Sequence, residues 1–277
     1  MKIYDMHIHI YSEGKQFASP SPATLIERLE AAGIYGGCVF SNYPEPSHPM
    51  GTPFEKRLDE LMAWVEGYEQ RLFPVLWIHP DEEGILEKMD IAAERGVVGF
   101  KIICNNFYVY EEKCMALLRK SALMNKPVFF HSGILWDNQI GSIYNRPLNW
   151  EHLLPIPKLR FSMGHCSWPW IDECVALYGE FKYSSMIKDG PEMFLDVTPG
   201  PPVAWRKELW TKLFAFDGSK HILFGTDCSA GAYSPDYAKS WLAVDGKAMD
   251  ELGIGESERE LIYEANLMRF LGIEKNG

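Results

Sequence analysis

The sequence lacks the features that mark membrane, secreted and nucleic-acid-binding proteins. No segment approaches the ~20 consecutive apolar residues that a transmembrane helix needs. The opening residues MKIYDMHIHI place an aspartate and two histidines where a signal peptide requires an apolar core. The net charge of −11 leaves no basic excess for binding a phosphate backbone. We therefore expect a small-molecule partner, with neither nucleic acid nor a membrane.

Cysteine is sparse and has no recognisable spacing. The chain has 6 cysteines, which are scattered through apolar stretches and form no CxxC pair. This pattern does not resemble a disulfide framework or a zinc ribbon. Reduced thiols and a cytoplasmic location are the expectation.

Linkers, repeats and low-complexity tracts are absent as well. The 277 residues, 47% of them hydrophobic, are enough to bury one large core. Barrels of alternating strands and helices often reach ~250 residues as one unit. The sequence therefore predicts a single domain spanning residues 1–277.

Short β-rich runs alternate with helical stretches along the whole chain. The strand candidates are KIYDMHI, YGGCVFS, LFPVLWI, VVGFKII, PVFFHS, LRFSMGH, EMFLDV and HILFGTD. The helix candidates are Ala23–Ala32, Phe54–Gln70, Glu83–Glu94, Glu111–Met124, Trp170–Tyr178, Trp205–Phe214, Ser234–Val244 and Glu256–Leu271. Eight apolar strands separated by helices predict an α/β fold, the (β/α)8 or TIM barrel. A doubly wound open sheet is the competing fold. It would typically carry a glycine-rich turn after its first strand, where this chain has HIHIYSEGK.

Polar side chains lie at the ends of several predicted strands. These residues are His7, His9, His131, His165 and Asp227. Each has an ordinary structural interpretation alone, as a hydrogen-bonded core histidine or a turn cap. Together they would meet at the carboxyl-terminal mouth of a barrel. Without a shared ion, each of these buried polar groups would need its own hydrogen-bond partner, and a group left without one costs free energy. Imidazole and carboxylate groups at one point suit zinc or a similar divalent ion.

The ordered motifs resemble a known family. They are DMHIH, GFK, FFHSG, MGHCSWPW, LFGTDCS and the ending EANLMRFLGI. The set resembles the amidohydrolase superfamily over nearly the whole chain. It is most similar to the amidohydrolase-related branch, which includes aminocarboxymuconate-semialdehyde decarboxylase, related aromatic-acid decarboxylases and several lactonases.

The resemblance implies roles for the strand-end residues. One divalent metal, commonly zinc with manganese or iron as alternatives, would be bound by His7, His9, His131 and Asp227. His165 would be a catalytic histidine beside the water that the metal activates, and Asp227 would also receive a proton from that water. General chemistry agrees, because a metal can bring the pKa of bound water to about 7.

Lys101 and Asp5 keep two interpretations each. Binuclear members of the superfamily carry a carboxylated lysine at the end of strand four, and GFKIIC places Lys101 near that point. In the branch that this chain resembles, such a motif occurs in single-metal proteins, where Lys101 would face substrate or pair with a buried carboxylate. Asp5 shares the alternation of the two neighbouring histidines, so it either orients one of them or is a structural carboxylate.

Three further residues are candidates for binding substrate. Arg146 can grip a carboxylate, although a surface position is the alternative. Trp168 can wall a pocket for a flat substrate together with Trp136 and Trp170, or these rings pack between loops. His79 ends the third predicted strand and faces the same mouth.

The leading functional hypothesis is a metal-dependent hydrolase acting on a lactone, an ester or an amide. A non-oxidative decarboxylase of an unsaturated or aromatic acid would use the same residues. A metal-bound sensor or scaffold without turnover is the third reading. A homodimer is expected from base rates.

Overall fold

Nine parallel strands form one sheet in the part of the chain that the structure describes, residues 1–11, 18–183 and 189–273. This computed structural model has strands β1 Tyr4–His9, β2 Gly36–Phe40, β3 Leu72–Trp77, β4 Gly99–Ile102, β5 Val128–Phe130, β6 Arg160–Met163, β7 Glu192–Asp196, β8 Ile222–Leu223 and β9 Cys228–Ser229. Neighbours in the chain are neighbours in the sheet from β1 to β8, and β9 pairs with the other edge of β1.

The eighth strand is split into β8 and β9, and together they close the barrel. The backbone of Phe224, directly after β8, accepts a hydrogen bond of 2.9 Å from the amide of Met6 in β1. Further along, Ile8 pairs with Cys228 of β9. The strand is interrupted because Asp227 adopts a φ of 55°, which extended strands do not allow. The predicted (β/α)8 barrel is confirmed. Residues 12–15 of the run HIHIYSEGK lie outside the described residues.

Helices follow the strands on the outside of the sheet. They are α1 Pro22–Ala31, α2 Phe54–Val65, α3 Ile85–Glu94, α4 Glu112–Leu123, α5 Ile171–Tyr183, α6 Arg206–Phe214, α7 Pro235–Glu251, α8 Glu256–Glu260 and α9 Asn266–Leu271. The helix predicted to reach Gln70 ends at Val65, because Gly67 takes a φ of 82° that a right-handed helix excludes. The last predicted helix is divided by a π-helical turn at Leu261–Ala265. None of these helices, within the described ranges, has the length and hydropathy that crossing a bilayer demands.

Aromatic side chains fill the barrel interior, and α9 closes its amino-terminal end. The ring of Phe129 contacts Phe40 at 5.2 Å and Phe270 at 4.9 Å between centroids. Phe194 also contacts Phe270, at 4.8 Å between centroids. Asn266 holds α9 in place by donating to the carbonyls of Ser219 and Ile222. These rings pack the interior below the mouth, and barrel enzymes place their sites at the carboxyl-terminal end.

A buried ion pair joins α6 to α7 close to the end of β7. Arg206 donates to both carboxylate oxygens of Asp245, at 2.8 and 2.6 Å, and also to the carbonyl of Val197. Trp210 donates a third hydrogen bond to Asp245. Loss of the carboxylate would leave a buried guanidinium without its countercharge.

We expect Asp245→Ala to lower the free energy of unfolding by about 3–5 kcal/mol. Urea denaturation followed by circular dichroism measures the change. Asp250→Ala is the matched control, because Asp250 pairs with Arg259 while its own side chain is 73% exposed, and such pairs contribute about 1 kcal/mol or less. Equal losses in the two variants would contradict this account of the ion pair.

Candidate active site

An irregularity in β1 places the side chains of His7 and His9 in the barrel mouth. The pairing of β1 with β2 shifts register between Asp5 and Ile8, which is the signature of a β-bulge. Met6 packs with the aromatic side chains inside the barrel, whereas Ile8, at the far end of the shift, packs with side chains of the surrounding helices. The two histidine rings consequently both contact Phe40, at 4.7 and 5.4 Å.

Because of the same bulge, the expected inward position of Asp5 is wrong. Its carboxylate does not share the inward face of the two histidines but ties β1 to the turn after β8. One oxygen accepts from the amides of His7 and Thr226, and the other accepts from the hydroxyls of Thr226 and Tyr233. Burial raises the pKa of Asp5 to about 6, and these hydrogen bonds oppose the rise. Of the two interpretations, the structural carboxylate is the one that fits.

Asp227 meets both histidines at the mouth. Its Oδ1 lies 3.3 Å from Nε2 of His7 and 3.3 Å from Nε2 of His9. The three ligand atoms all lie within 4.8 Å of one another. The close packing of the turn before Asp227 against His7 depends on Gly225, where a Cβ atom would stand 2.6 Å from Thr198 and 3.1 Å from Cβ of His7. We call His7, His9 and Asp227 the candidate triad.

The protonation states of His7 and Asp227 are those that a cation requires. Burial lowers the pKa of His7 to about 4, with Lys101 adding to the effect. Burial opposes ionisation of Asp227, but the imidazoles of His7, His9 and His165 together hold its pKa well below the usual range. Neutral imidazole and ionised carboxylate are the forms that bind metals.

The spacing of the triad also fits a metal. Ligand arms of 2.0–2.2 Å in a tetrahedron place ligand atoms roughly 3.3–3.6 Å apart, which agrees with the two 3.3 Å separations to Asp227 Oδ1. His7 donates from Nδ1 to Asp196 at 3.0 Å, so its Nε2 carries a lone pair. That lone pair faces a carboxylate oxygen, an arrangement of two acceptors that a shared cation stabilises.

His165 approaches the triad from a left-handed turn after β6. His165, Cys166 and Ser167 have successive φ values of 57°, 44° and 58°, and each costs roughly 1–2 kcal/mol for an L-residue. The turn brings Nε2 of His165 to 3.9 Å from Asp227 Oδ2, while Nδ1 lies 2.9 Å from Thr198 Oγ1. Strain of this kind concentrates at functional sites.

His131 lies at the same mouth but outside the group of three. Its ring centroid is 5.1 Å from that of His165, and its Nε2 is 3.2 Å from the carbonyl oxygen of Ile134. Burial holds its pKa well below the usual value, with His165 adding to the shift. The structure therefore brings His131 beside the catalytic candidate and gives its Nε2 a backbone partner.

A family comparison decides the classification. A model described as Amidohydrolase matches residues 4–273. The chain belongs to the amidohydrolase family. The predicted resemblance is confirmed over nearly the whole chain.

Solved structures of this family share the fold. An Acinetobacter baumannii protein, provisionally named a 2-pyrone-4,6-dicarboxylic acid hydrolase and holding citric acid, has a TM-score of 0.65 at 14% identity, covering 98% of this chain and 100% of its own. A Pseudomonas putida protein with the same provisional name has a TM-score of 0.66 at 17% identity, covering 99% and 98%. A Burkholderia multivorans amidohydrolase with bound HEPES has a TM-score of 0.70 at 10% identity, covering 99% and 100%. A comparison with curated proteins finds no match.

Two of the residues predicted to bind substrate lie close to the candidate site. Lys101 is buried, with Nζ 3.5 Å from His7 Nε2. Burial lowers its pKa to about 8, against the pull of Asp196 and Asp227. Trp168 borders a cavity of about 40 Å³ next to His165.

The other two predicted substrate residues make contacts away from the triad. His79 is buried in the loop after β3, where its Nδ1 accepts from the amide of Asp81 and its ring meets Phe107 edge-on. Arg146 is half exposed and donates to Glu173 at 3.0 Å. The structure does not bring Arg146 into contact with any member of the triad.

Asp196 is the site residue that sequence reasoning missed. It ends β7 and accepts a hydrogen bond from His7, and this bond together with that from the Thr198 amide keeps its pKa low although burial alone would raise it. The available signal was the same one that singled out the histidines, a polar side chain at the end of a buried strand.

Proposed function

We propose that this amidohydrolase-family protein is a metal-dependent hydrolase that uses water to open a small carbonyl compound such as a lactone. The observation that carries the proposal is the candidate triad, whose two imidazole nitrogens lie 3.3 Å from one carboxylate oxygen in the barrel mouth. Zinc is the preferred ion, since imidazole and carboxylate ligands suit it. Manganese and iron are the alternatives.

His131 remains the candidate for a fourth ligand. Its ring already lies beside that of His165 at the mouth. To reach the ion, its Nε2 would exchange the carbonyl of Ile134 for the metal. Three protein ligands and one open position are typical of catalytic zinc sites, so the triad alone is also a complete set.

The chain's own residues supply the proton transfers. When bound, the metal supplies Lewis acidity that makes water a better nucleophile at neutral pH and polarises a carbonyl oxygen. Asp227 Oδ1 lies 3.3 Å from the two ligand histidines, and its Oδ2 lies 3.9 Å from His165 Nε2. Oδ2 accepts the proton that water loses, and His165 Nε2 carries that proton to the leaving oxygen. The distance of 3.9 Å lets the two groups exchange a proton directly after a small movement or through one water.

A carboxylate-bearing lactone is the substrate class that we propose. Lys101 offers a buried positive charge beside the triad, to which a substrate carboxylate would add a countercharge beside those of Asp196 and Asp227. Trp168 adds a flat apolar wall at the edge of the His165 cavity. Two similar structures are provisionally named for hydrolysis of a dicarboxylated pyrone, and one of them holds the tricarboxylate citrate.

The test is hydrolysis of a matched panel of lactones, each with and without a carboxylate, by protein reconstituted with zinc. We expect proton release in a pH-stat for the carboxylated lactones, abolished by dialysis against a chelator and restored by added zinc. Release of carbon dioxide from unsaturated or aromatic acids, without lactone opening, would replace the proposal by the decarboxylase. Activity that survives complete metal removal would refute the metal's role.

A further inference from the structure

The end of β7 contacts two histidines of the site at once. Asp196 Oδ2 lies 3.0 Å from His7 Nδ1, and its Oδ1 accepts from the amide of Thr198 at 2.7 Å. Two residues beyond Asp196, the hydroxyl of Thr198 lies 2.9 Å from His165 Nδ1. Asp196 is 1% exposed and Thr198 is fully buried, so water does not compete for these bonds.

We propose that Asp196 and Thr198 are positioning residues, of which Asp196 fixes the orientation and proton of His7 and Thr198 fixes the orientation of His165. Asp196 holds the His7 proton on Nδ1, which leaves the Nε2 lone pair aimed at the metal position. Thr198 holds His165 so that its Nε2 faces Asp227. The inference rests on the proposed function in that it assigns each residue to one half of the reaction, metal binding or proton transfer.

The assignment for His7 follows from counting donors and acceptors. An ionised carboxylate only accepts hydrogen bonds, so Asp196 Oδ2 requires a proton on His7 Nδ1. The other ring nitrogen gives an independent indication, because the Lys101 ammonium, which only donates, lies 3.5 Å from His7 Nε2. A neutral imidazole with Nδ1 protonated satisfies Asp196 and Lys101, whereas the opposite tautomer satisfies only Asp227, whose Oδ1 lies 3.3 Å from Nε2.

The two links are separable because they use different atoms. The His7 link depends on the Asp196 carboxylate, whereas the His165 link depends only on the Thr198 hydroxyl. His165 is also confined sterically, since a Cβ atom on Gly200 would stand 2.7 Å from its Cβ. Loss of the Thr198 hydroxyl therefore frees the rotation of the His165 ring while leaving its location.

The first experiment reads the His7 tautomer directly in metal-free wild-type protein. Two-dimensional 1H–15N spectra of the imidazole nitrogens should show His7 with a protonated Nδ1 and a bare Nε2 at neutral pH. A protonated Nε2 would overturn the role of Asp196. This reading is independent of metal binding, so a failure of the proposed function leaves it intact and the two failures are distinguishable.

The second experiment measures zinc affinity and turnover in Asp196→Asn and Thr198→Val. An asparagine cannot accept from both His7 and the Thr198 amide, because one of its two terminal groups only donates. We expect zinc affinity, measured by competition with a chromophoric chelator, to fall 10–100-fold in Asp196→Asn. Thr198→Val should keep zinc affinity within about threefold and lower kcat about tenfold at unchanged KM.

The pattern across the two variants decides the proposal. Folding is checked by circular dichroism before either measurement, and the wild-type spectrum tests the Asp196 role even if that variant does not fold. Equal zinc affinity in wild type and Asp196→Asn would overturn the assignment of Asp196. Loss of zinc in Thr198→Val, or unchanged kcat there, would overturn the assignment of Thr198.

Discussion

Replacing His165 with asparagine should lower turnover by about 10²–10⁴-fold while the bound metal stays in place. The imidazole Nε2 lies 3.9 Å from Asp227 Oδ2, and His165 is not one of the three residues whose ligand atoms lie within 4.8 Å of one another. Asparagine keeps a polar side chain in the turn but cannot carry a proton near neutral pH. Initial rates of lactone hydrolysis at saturating zinc, together with elemental analysis of the variant, measure both halves of the prediction.

The matched control is His152→Asn, which alters an exposed histidine that contacts Tyr110 on the loop surface. Its turnover should stay within about twofold of wild type, as for surface substitutions generally. If His165→Asn lost its metal as completely as a ligand variant, the assignment of His165 as a proton carrier outside the metal shell would be wrong.

The double change of His7 and His9 to alanine should remove both the metal and the activity. It deletes two of the three atoms of the candidate triad and leaves Asp227 alone. Single changes of outer-shell partners already cost ~10–100-fold in affinity or activity, so loss of two inner ligands should exceed the upper end of that range. Titration of the metal-free variant with zinc by calorimetry measures the binding directly.

Two controls make this result specific. Circular dichroism and thermal unfolding establish that the double variant keeps the barrel, since the filled interior below the mouth is untouched. His152→Ala should bind zinc like wild type. A double variant that still bound one zinc with wild-type affinity would mean that the metal lies elsewhere in the molecule.

Much of the site was predictable because barrel geometry is so restrictive. Eight alternating strand and helix segments close in chain order, and closure brings the carboxyl ends of all strands to one mouth. Polar residues at those ends can therefore meet, however far apart they are in sequence. His7 and Asp227 are separated by most of the chain, yet the sequence placed both at strand ends, and they lie 3.3 Å apart.

The remaining details depend on backbone irregularities that local patterns do not reveal. Simple alternation in DMHIH would turn Asp5 inward with His7, but the bulge in β1 re-aims the histidines and sends Asp5 to the turn at Thr226. The split of the eighth strand likewise follows from the left-handed conformation of Asp227.

Long-range hydrogen bonds could not be predicted from the sequence either. The His7–Asp196 pair joins residues 189 positions apart, and only the register of the closed barrel brings them together. Arg146 shows the opposite case, because its side chain suited a substrate carboxylate but its loop places it against Glu173. Chemical type predicts what a residue can bind, whereas the fold decides what it meets.

Elemental analysis of protein purified without chelators, then repeated after reconstitution with zinc, tests the central claim most directly. The account predicts about one divalent metal per chain, held by the triad of His7, His9 and Asp227. Two metals per chain would instead point to a bridging, carboxylated Lys101. No metal under either condition would contradict the account, and the triad would then have to act on substrate without an ion.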